Sequence, residues 1–222
     1  MSSSQVTNLS KYTACDISDA LHQLQTPGSG FIPDLVPYGS LASRPLVGRA
    51  STVLFTDYDQ DPGSRGQENV QINKEWVDSV EEDTVVIMSQ PEGQQNAILG
   101  GIKAVRLAQR NIRGVVVHGR VRDIEELGKS GLTIWAKGTS TVNSSGLTRV
   151  HSLNVPLAIR GLPISPGDIV FGDPNGVVVI PQSKLDKVLE LLPGLVRRDN
   201  EAMEAVRNGM SVTDAFRKFR RG

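Results

Sequence analysis

The stretch of sequence that decides the fold runs from Leu99 to Asp123 and reads LGGIKAVRLAQRNIRGVVVHGRVRD. Its apolar residues first recur at helical spacing, from Ile102 to Gln109, and then form the continuous run Val115 to Val117. A glycine-rich turn, a helix and a buried strand in this order are typical of a βαβ unit with parallel strands. The stretch therefore predicts an α/β domain built around a central βαβ unit.

The chain before this stretch carries weaker patterns that extend the same domain. Apolar spacing, turn residues and β-branched content predict two helices, two strands and two loops. In chain order they are a helix from Thr13 to Leu24, an ordered Gly/Pro-rich loop from Thr26 to Pro45, a strand from Ala50 to Phe55, a polar loop from Asp57 to Glu68 that is a lid candidate, a weaker helix from Val70 to Val80, and a buried strand from Thr84 to Met88.

The chain after this stretch changes from alternating helices and strands to short strands and then to helices. The patterns predict a helix from Asp123 to Lys129, a strand from Thr133 to Ala136, and a second, more antiparallel sheet from the three short strands that follow. These strands are Leu157 to Ile159, Asp168 to Phe171 and Val177 to Ile180. A long C-terminal helix is expected from Gln182 to Asn208, with Pro193 as a candidate break, and a short basic helix from Val212 to Arg220.

Length and composition narrow the class of protein. The 222 residues fit one domain, residues 1–222, with a full core. Lys and Arg number 24, and so do Asp and Glu; this balance removes the broad attraction that nucleic acid or an anionic membrane needs. No apolar run reaches the ~20 residues of a membrane span, and Met1 to Ser10 lacks the apolar core of a signal peptide. With Cys15 as the single cysteine, we expect a soluble, cytoplasmic protein without a nucleic-acid or membrane partner.

The turn at Gly100 and Gly101 is the first candidate for a binding site. The free backbone N–H groups of residues 100–103 and the positive end of the helix dipole would attract a carboxylate or a phosphate. A tight strand-to-helix turn that binds nothing would use the same two glycines.

Arg122 and Asp123 form the second candidate, because they directly follow the strand that ends at His118. Ligands of open α/β sheets bind at the carboxyl ends of the strands. Arg122 can bind a carboxylate or polarise a carbonyl oxygen, and Asp123 is an oxygen ligand suited to Mg²⁺ or Mn²⁺. The alternative is a surface arginine beside an aspartate that caps the next helix. If the strands are adjacent, both turns open into one crevice.

These residues resemble those of a known family, the regulator of ribonuclease activity A family, which includes the class II 4-hydroxy-4-methyl-2-oxoglutarate aldolases. The resemblance covers most of the chain and is weak before Ala50. It rests on the motifs already quoted and on two later ones, PGDIVFGD at residues 166–173 and GVVVIP at residues 176–181.

The resemblance implies a fold, a cofactor and an assembly. The fold would be a swivelling β/β/α-type sandwich, and the protein a homotrimer or hexamer in which the C-terminal helices of residues 182–220 pack on a neighbouring subunit. The backbone amides of Gly100, Gly101, Ile102 and Lys103 would bind the substrate carboxylate. Arg122 would contact the substrate, and Asp123 would be both a catalytic residue and the ligand of a divalent cation, Mg²⁺ or Mn²⁺.

The implied activity is a lyase reaction on a small 2-oxo acid through an enolate. Two reactions are open: retro-aldol cleavage of 4-hydroxy-4-methyl-2-oxoglutarate, and decarboxylation of oxaloacetate, both of which give pyruvate. The resemblance implies that the aldolases of the family have Asp at the position of Gly101, whereas this chain has Gly101 together with Glu126. Because the carboxylate that could act as a base is then missing at position 101, decarboxylation is favoured over retro-aldol cleavage. The alternative is a non-catalytic regulator that binds a ribonuclease or another protein.

Three further residues are open to two interpretations. His118 ends the strand before Arg122 and would either act as an acid or base in the crevice or remain structural. Asp199 and Glu201, on the C-terminal helix, would either approach the metal of a neighbouring subunit, as the resemblance implies, or lie on a solvated helix face.

Overall fold

A computed structural model describes residues 3–39, 45–61, 68–71 and 73–220. Within these ranges six α-helices are present, and the predicted ones begin and end within a few residues of expectation. Their bounds are α1 Ser3–Leu9, α2 Ala14–Gln23, α3 Gly101–Gln109, α4 Ile124–Lys129, α5 Leu185–Arg207 and α6 Val212–Phe219. Short 3₁₀ turns lie at Pro27–Gly30, Trp76–Asp78 and Gln182–Lys184.

Twelve strands are present in the described ranges. They are β1 Phe31–Ile32, β2 Val36–Pro37, β3 Leu46–Asp57, β4 Thr84–Ser89, β5 Ala97–Leu99, β6 Gly114–Val121, β7 Thr133–Thr139, β8 Thr148–Leu153, β9 Leu157–Ile159, β10 Leu162–Ile164, β11 Ile169–Asp173 and β12 Gly176–Ile180. Ten of them form one mixed sheet in which the order is β1-β12-β11-β3-β4-β6-β7-β2, with β5 on β6 and β8 on β3.

The centre of this sheet is parallel. β3, β4, β6 and β7 pair in that order and in one direction, and β5 also runs parallel to β6. Since α3 connects β5 to β6, the predicted βαβ unit is confirmed. The chain thus has the mixed α/β fold, with a long C-terminal helix, that its sequence predicts.

The prediction of a second antiparallel sheet is wrong for most of its strands. β11 joins the main sheet as the antiparallel neighbour of β3, and β12 pairs antiparallel with β11. Among the described strands only β9 and β10 form a separate two-stranded sheet. The reason is the length of β3, which has 12 residues. Its first part pairs with β11 and its last part with β8, so that one strand connects the parallel and antiparallel regions.

Two local predictions are also wrong. The segment Val70 to Val80 contains one 3₁₀ turn among its described residues instead of a helix, because Trp76, Val77 and Val80 are buried as anchors of an irregular loop. Pro193 lies inside a continuous α5. Packing of the helix on both sides of the proline, by Leu192 before it and Leu195 after it, holds it together despite the missing N–H group.

Two predicted loops lie only partly within the description. Residues 40–44 of the Gly/Pro-rich loop and residues 62–67 of the lid candidate lie outside the described residues. The described part of the first loop contains β1 and β2, which pair with β12 and β7. No helix in the described part of the chain is long and apolar enough to cross a membrane.

Side chains alternate along the strands and sort into three apolar clusters. One cluster lies between the sheet and helices α3 and α4, and includes Val115 and Val117. A second lies under α2 and α5 and includes Val188. The third, the interior cluster, contains residues of the opposite strand faces together with β9 and β10; Val116 and Trp135 belong to it. The sheet therefore curls around the interior cluster, and helices cover its outer faces.

The close approach of Trp135 to Gly172 shows how far the sheet curls. These residues lie on β7 and β11, which three strands separate in the sheet, yet a Cβ atom added to Gly172 would lie 2.6 Å from Cη2 of Trp135. The indole ring thus occupies the space that a side chain at position 172 would need. Gly172 is required because of this contact and not because of its backbone conformation.

We expect Gly172→Ala to lower the free energy of unfolding by about 1–3 kcal/mol, because the added methyl group overpacks the interior cluster. Urea unfolding measures the effect. Gly128→Ala is the matched control: it lies on α4 with no atom within 4 Å of the added Cβ, so the change should leave stability equal or raise it. Equal stabilities of the two variants would contradict the described packing.

Candidate active site

The two candidate turns meet because β5 and β6 pair in parallel. Leu99 is paired with Val121, so that the residues after each strand leave the sheet side by side. The backbone N–H of Arg122 donates to the carbonyl of Leu99 at 3.0 Å and fixes this approach. Asp123 has a left-handed backbone conformation with a φ of 58°, which aspartate tolerates better than most residues. This turn directs the chain from β6 into α4.

The carboxylate of Asp123 joins the two turns. Its Oδ2 accepts a hydrogen bond from the backbone N–H of Gly101 at 3.0 Å and lies 3.5 Å from Nε of Arg122. Asp123 occupies the N-cap position of α4, but its side chain does not cap that helix. The capping interpretation of this residue is therefore wrong, and the crevice expected between the turns is present.

The glycine pair makes this contact possible. A Cβ atom at position 100 would lie 2.7 Å from Oδ2 of Asp123 and 3.2 Å from Cγ of Arg122. Without a side chain at Gly100, the carboxylate and the guanidinium can lie directly over the start of α3. Gly100 is thus needed so that the Asp123 carboxylate and the Arg122 side chain can approach the backbone, in addition to forming a tight turn.

The start of α3 also retains free donors. Gly100 is its N-cap and supplies no side-chain hydrogen bond, and the first bond within the helix is from Ala104 N–H to the Gly100 carbonyl. Since Asp123 already occupies the Gly101 amide, the amides of Ile102 and Lys103 are the ones left for an anion.

A cavity of about 480 Å³ lies in front of these groups. Leu99 and Ile98 contribute to its apolar lining, and its charged lining includes Arg122 and Asp123, both about 40% exposed. Lys103 extends over the ring of Trp76 at 5.7 Å and lies 3.5 Å from the carboxylate of Glu75. The volume of the cavity fits a small metabolite.

Sequence reasoning missed part of this lining. Arg106 and Asp78 form an ion pair of 2.5 Å at the cavity, and Glu75 also lines it. The basic residues Lys103 and Arg106 were a usable signal, because a spacing of three places both on one face of a helix that starts at the glycine turn. Asp78 carried no signal, since it belongs to the loop that the sequence assigns to a helix.

The space above Gly101 is already filled. A Cβ atom at position 101 would lie 2.7 Å from Cβ of Glu126 and 3.2 Å from its Cγ. The glycine and the glutamate, which the sequence only placed at a characteristic spacing, are thus in contact. Glu126 leaves no room for an aspartate at position 101 unless α4 moves.

The donor set fits a hydrated divalent cation. Asp123 offers a partly exposed carboxylate, and no group of three or more His, Cys, Asp or Glu side chains that could hold a metal is present among the described residues. Zn²⁺ sites need such a group, whereas Mg²⁺ retains several waters and is often bound through one or two carboxylates. Asp123 alone would therefore suit Mg²⁺ or Mn²⁺ with a largely aqueous shell.

The other candidate residues lie away from this cavity. His118 is on the face of β6 that points to the interior cluster, and it lines a second cavity instead. Asp199 accepts a hydrogen bond from Nε of Arg220 at 2.6 Å, so α5 and α6 are linked within one chain. Glu201 is exposed. Contacts of these helices with a neighbouring subunit remain a prediction.

These features together define an α/β protein with a candidate site for a small anion at the carboxyl ends of parallel strands. The family model described as Aldolase/RraA matches residues 14–179. The chain belongs to this RraA-like family, as its motifs predict.

Two of the curated relatives illustrate the similarity. The protein DlpA of Legionella pneumophila is 33% identical over 211 residues, which are 91% of this chain but only 31% of DlpA. The chain thus spans about a third of the length of that relative. A protein of Halalkalibacterium halodurans named "Putative 4-hydroxy-4-methyl-2-oxoglutarate aldolase" is 30% identical over 171 residues, 77% of this chain and 76% of that protein.

Solved structures share the fold at low sequence identity. An uncharacterized protein from Pseudomonas syringae pv. tomato superposes with a TM-score of 0.78 at 22% identity, covering 97% of this chain and 98% of that one. RraAS2 from Streptomyces coelicolor, an unusual member of the RNase ES inhibitor RraA protein family, gives 0.72 at 22% identity over 95% and 98% of the two chains. The architecture is therefore that of the RraA proteins.

The ionisation of His118 makes the stability of the fold depend on pH. Burial, and then the charges of Lys137 and Arg160, lower its pKa from 6.5 to about 4. Between these values the unfolded chain binds a proton that the folded chain does not, so stability falls as pH decreases from 6.5 to about 4. We expect His118→Gln to reduce this loss by about 1–2 kcal/mol, allowing for screening of a partly exposed ring.

Urea unfolding at a series of pH values in a phosphate-free buffer measures the effect. His22→Gln, at an exposed position on α2, is the matched control. A pH dependence that is identical in wild type and His118→Gln would contradict the prediction.

Proposed function

We propose that this protein is a divalent-metal-dependent carbon–carbon lyase that acts on small 2-oxo acids through an enolate. The observation that carries the proposal is the convergence at Asp123, whose Oδ2 lies 3.0 Å from the Gly101 amide and 3.5 Å from the Arg122 guanidinium. Backbone N–H donors, the Arg122 guanidinium and the Asp123 carboxylate thus surround one cavity. A surface adaptor would not need this combination.

Each group has a role in such a reaction. The amides of Ile102 and Lys103 would bind the carboxylate of the substrate, and Arg122 would donate to its 2-oxo oxygen, where negative charge develops as the enolate forms. Asp123 would hold the cation. A bound Mg²⁺ or Mn²⁺ would supply further positive charge to stabilise the enolate. Arg122 and Asp123 are therefore the proposed catalytic residues.

The contact between Gly101 and Glu126 bears on which bond is broken. Retro-aldol cleavage of 4-hydroxy-4-methyl-2-oxoglutarate requires a base for the 4-hydroxyl proton, whereas decarboxylation of oxaloacetate does not. Position 101 supplies no carboxylate, and Glu126 fills the space above it. This favours oxaloacetate decarboxylation as the main activity, with retro-aldol cleavage as the weaker one.

Pyruvate release from both substrates, with and without Mg²⁺ or Mn²⁺, tests the proposal. We expect release from oxaloacetate above the metal-catalysed background, loss of activity with a chelator, and slower release from 4-hydroxy-4-methyl-2-oxoglutarate. No release from either substrate, together with capture of a ribonuclease by the purified protein, would favour the regulator instead.

The surface around the site favours assembly with further copies of the chain. Ile102 lines the cavity and is 89% exposed, and Val105 on α3 and Ile124 on α4 are also exposed. Apolar side chains in such a position are typical of a covered surface. We propose a homotrimer or hexamer in which a second copy covers α3 and α4. Analytical ultracentrifugation of wild type and Val105→Glu tests this: a variant of unchanged mass would contradict it.

A further inference from the structure

A second cavity, of about 350 Å³, opens on the other side of β6. Because side chains alternate along this strand, Val117 and Val121 point toward α3 while His118 points toward the interior cluster. The cavity lies where that interior reaches the surface, between the loop after β4 and the turn from β9 to β10. His118, Lys137 and Arg160 are among its lining residues.

The lining of this cavity carries an excess of positive charge. Three cations, Arg120, Lys137 and Arg160, and one acidic residue, Glu92, contribute to it. Arg160 is paired with Asp34 at 2.9 Å, at the rim, and Arg120 donates to the carbonyl of Thr139 at 3.0 Å. Lys137 forms no ion pair within the part of the chain that the structure describes. Lys137 is exposed, and its ammonium group adds to the positive potential of the cavity, which favours an anionic ligand.

The imidazole of His118 lacks a partner in this positive surrounding. Its Nε2 is buried and forms no hydrogen bond to any described residue. Buried polar atoms in native proteins nearly always have a partner, so an unsatisfied one calls for an explanation. Burial, and then Lys137 and Arg160, keep the ring neutral at physiological pH, with Asp34 and Glu92 acting weakly in the opposite direction. A bound anion would supply the missing acceptor.

We propose that this cavity binds a small oxyanion, a phosphate or a carboxylate, through Lys137, Arg160 and Nε2 of His118. The site is separate from the Asp123 site, since β6 lies between the two cavities and no residue lines both. A negative charge next to the imidazole favours its protonated form, which is then a stronger donor. Between the raised pKa of the bound form and the lower pKa of the free form, binding therefore takes up a proton from the buffer and tightens as the pH falls.

Titration of the 222-residue chain with inorganic phosphate, and separately with malonate, tests this inference. The NMR signals of the His118 ring, assigned by their loss in His118→Gln, report the site, and calorimetry in buffers of different ionisation enthalpy reports proton uptake. We expect either anion to raise the pKa of His118 measurably. We expect Lys137→Met to weaken binding about tenfold. The preference for one anion identifies the ligand class.

Two controls keep the result specific to this cavity. Lys187→Met removes an exposed lysine of α5 and should leave binding unchanged. Arg122→Met should leave the response of His118 unchanged, which separates this site from the Asp123 site. The inference is overturned if the His118 signals do not respond to either anion, or if Lys137→Met binds as tightly as Lys187→Met.

Discussion

Asp123→Asn is expected to lower metal-dependent pyruvate release by about a hundredfold or more. Asparagine retains the size of the side chain and an oxygen for the Gly101 amide, so the contact of 3.0 Å between the two turns can persist. It removes the negative charge that would hold a divalent cation. We therefore expect the variant to lose activity and Mn²⁺ binding while its stability stays nearly unchanged.

Steady-state rates, Mn²⁺ binding followed by electron paramagnetic resonance, and urea unfolding measure the three quantities together. Glu125→Gln is the matched control, because it removes a carboxylate two residues away that pairs with Lys129 at the surface of α4. Wild-type activity in Asp123→Asn would rule out the proposed metal ligand. A variant that merely unfolds would be recognised by its stability.

Gly101→Asp is expected to decrease activity by at least about tenfold, although it introduces the aspartate of the aldolase pattern. Its Cβ would lie 2.7 Å from Cβ of Glu126. Because the near atom belongs to the base of the glutamate side chain, rotation of that side chain gives no relief, and α4 has to move. Asp123 directly precedes α4 and would move with it.

Two further variants separate the steric effect from the carboxylate. Gly101→Ala adds the same Cβ atom without the charge, so an equal loss in both variants attributes the effect to the clash. The double variant Gly101→Asp with Glu126→Gly opens the space, and we expect it to recover activity and to increase retro-aldol cleavage relative to decarboxylation. If Gly101→Asp alone raised the rate of retro-aldol cleavage, the steric argument would be wrong.

The parallel centre of the fold and the position of the site could be predicted from the sequence for one physical reason. Glycine turns, buried valine runs and helical spacing are local signals, and parallel strands bring their carboxyl ends to one edge. This sufficed to place Gly101 next to Asp123. The sequence did not predict which backbone amides stay free. Asp123 accepts a hydrogen bond from one amide and leaves the next two without a partner among the described residues, because its backbone adopts a left-handed turn that the sequence does not specify.

The errors arise where distant contacts decide the structure. Trp76 is buried in a loop and not in a helix, because the outer face of the sheet needs an apolar cover there. β11 joins the main sheet since β3 extends beyond the strand that its apolar run predicts. Pro193 remains helical under packing from both sides. In each case packing overrides local propensity, and a single sequence does not show which residues pack against the segment.

The alternation along β6 links the two candidate sites. His118 faces the second cavity from within the strand, whereas Asp123 lies beyond its end, where a left-handed backbone turn leads into α4. Deleting Val116 would move His118 to the opposite face of the sheet and would shift the turn that carries Asp123 by one position. We therefore expect a change in the length of this strand to disturb both cavities.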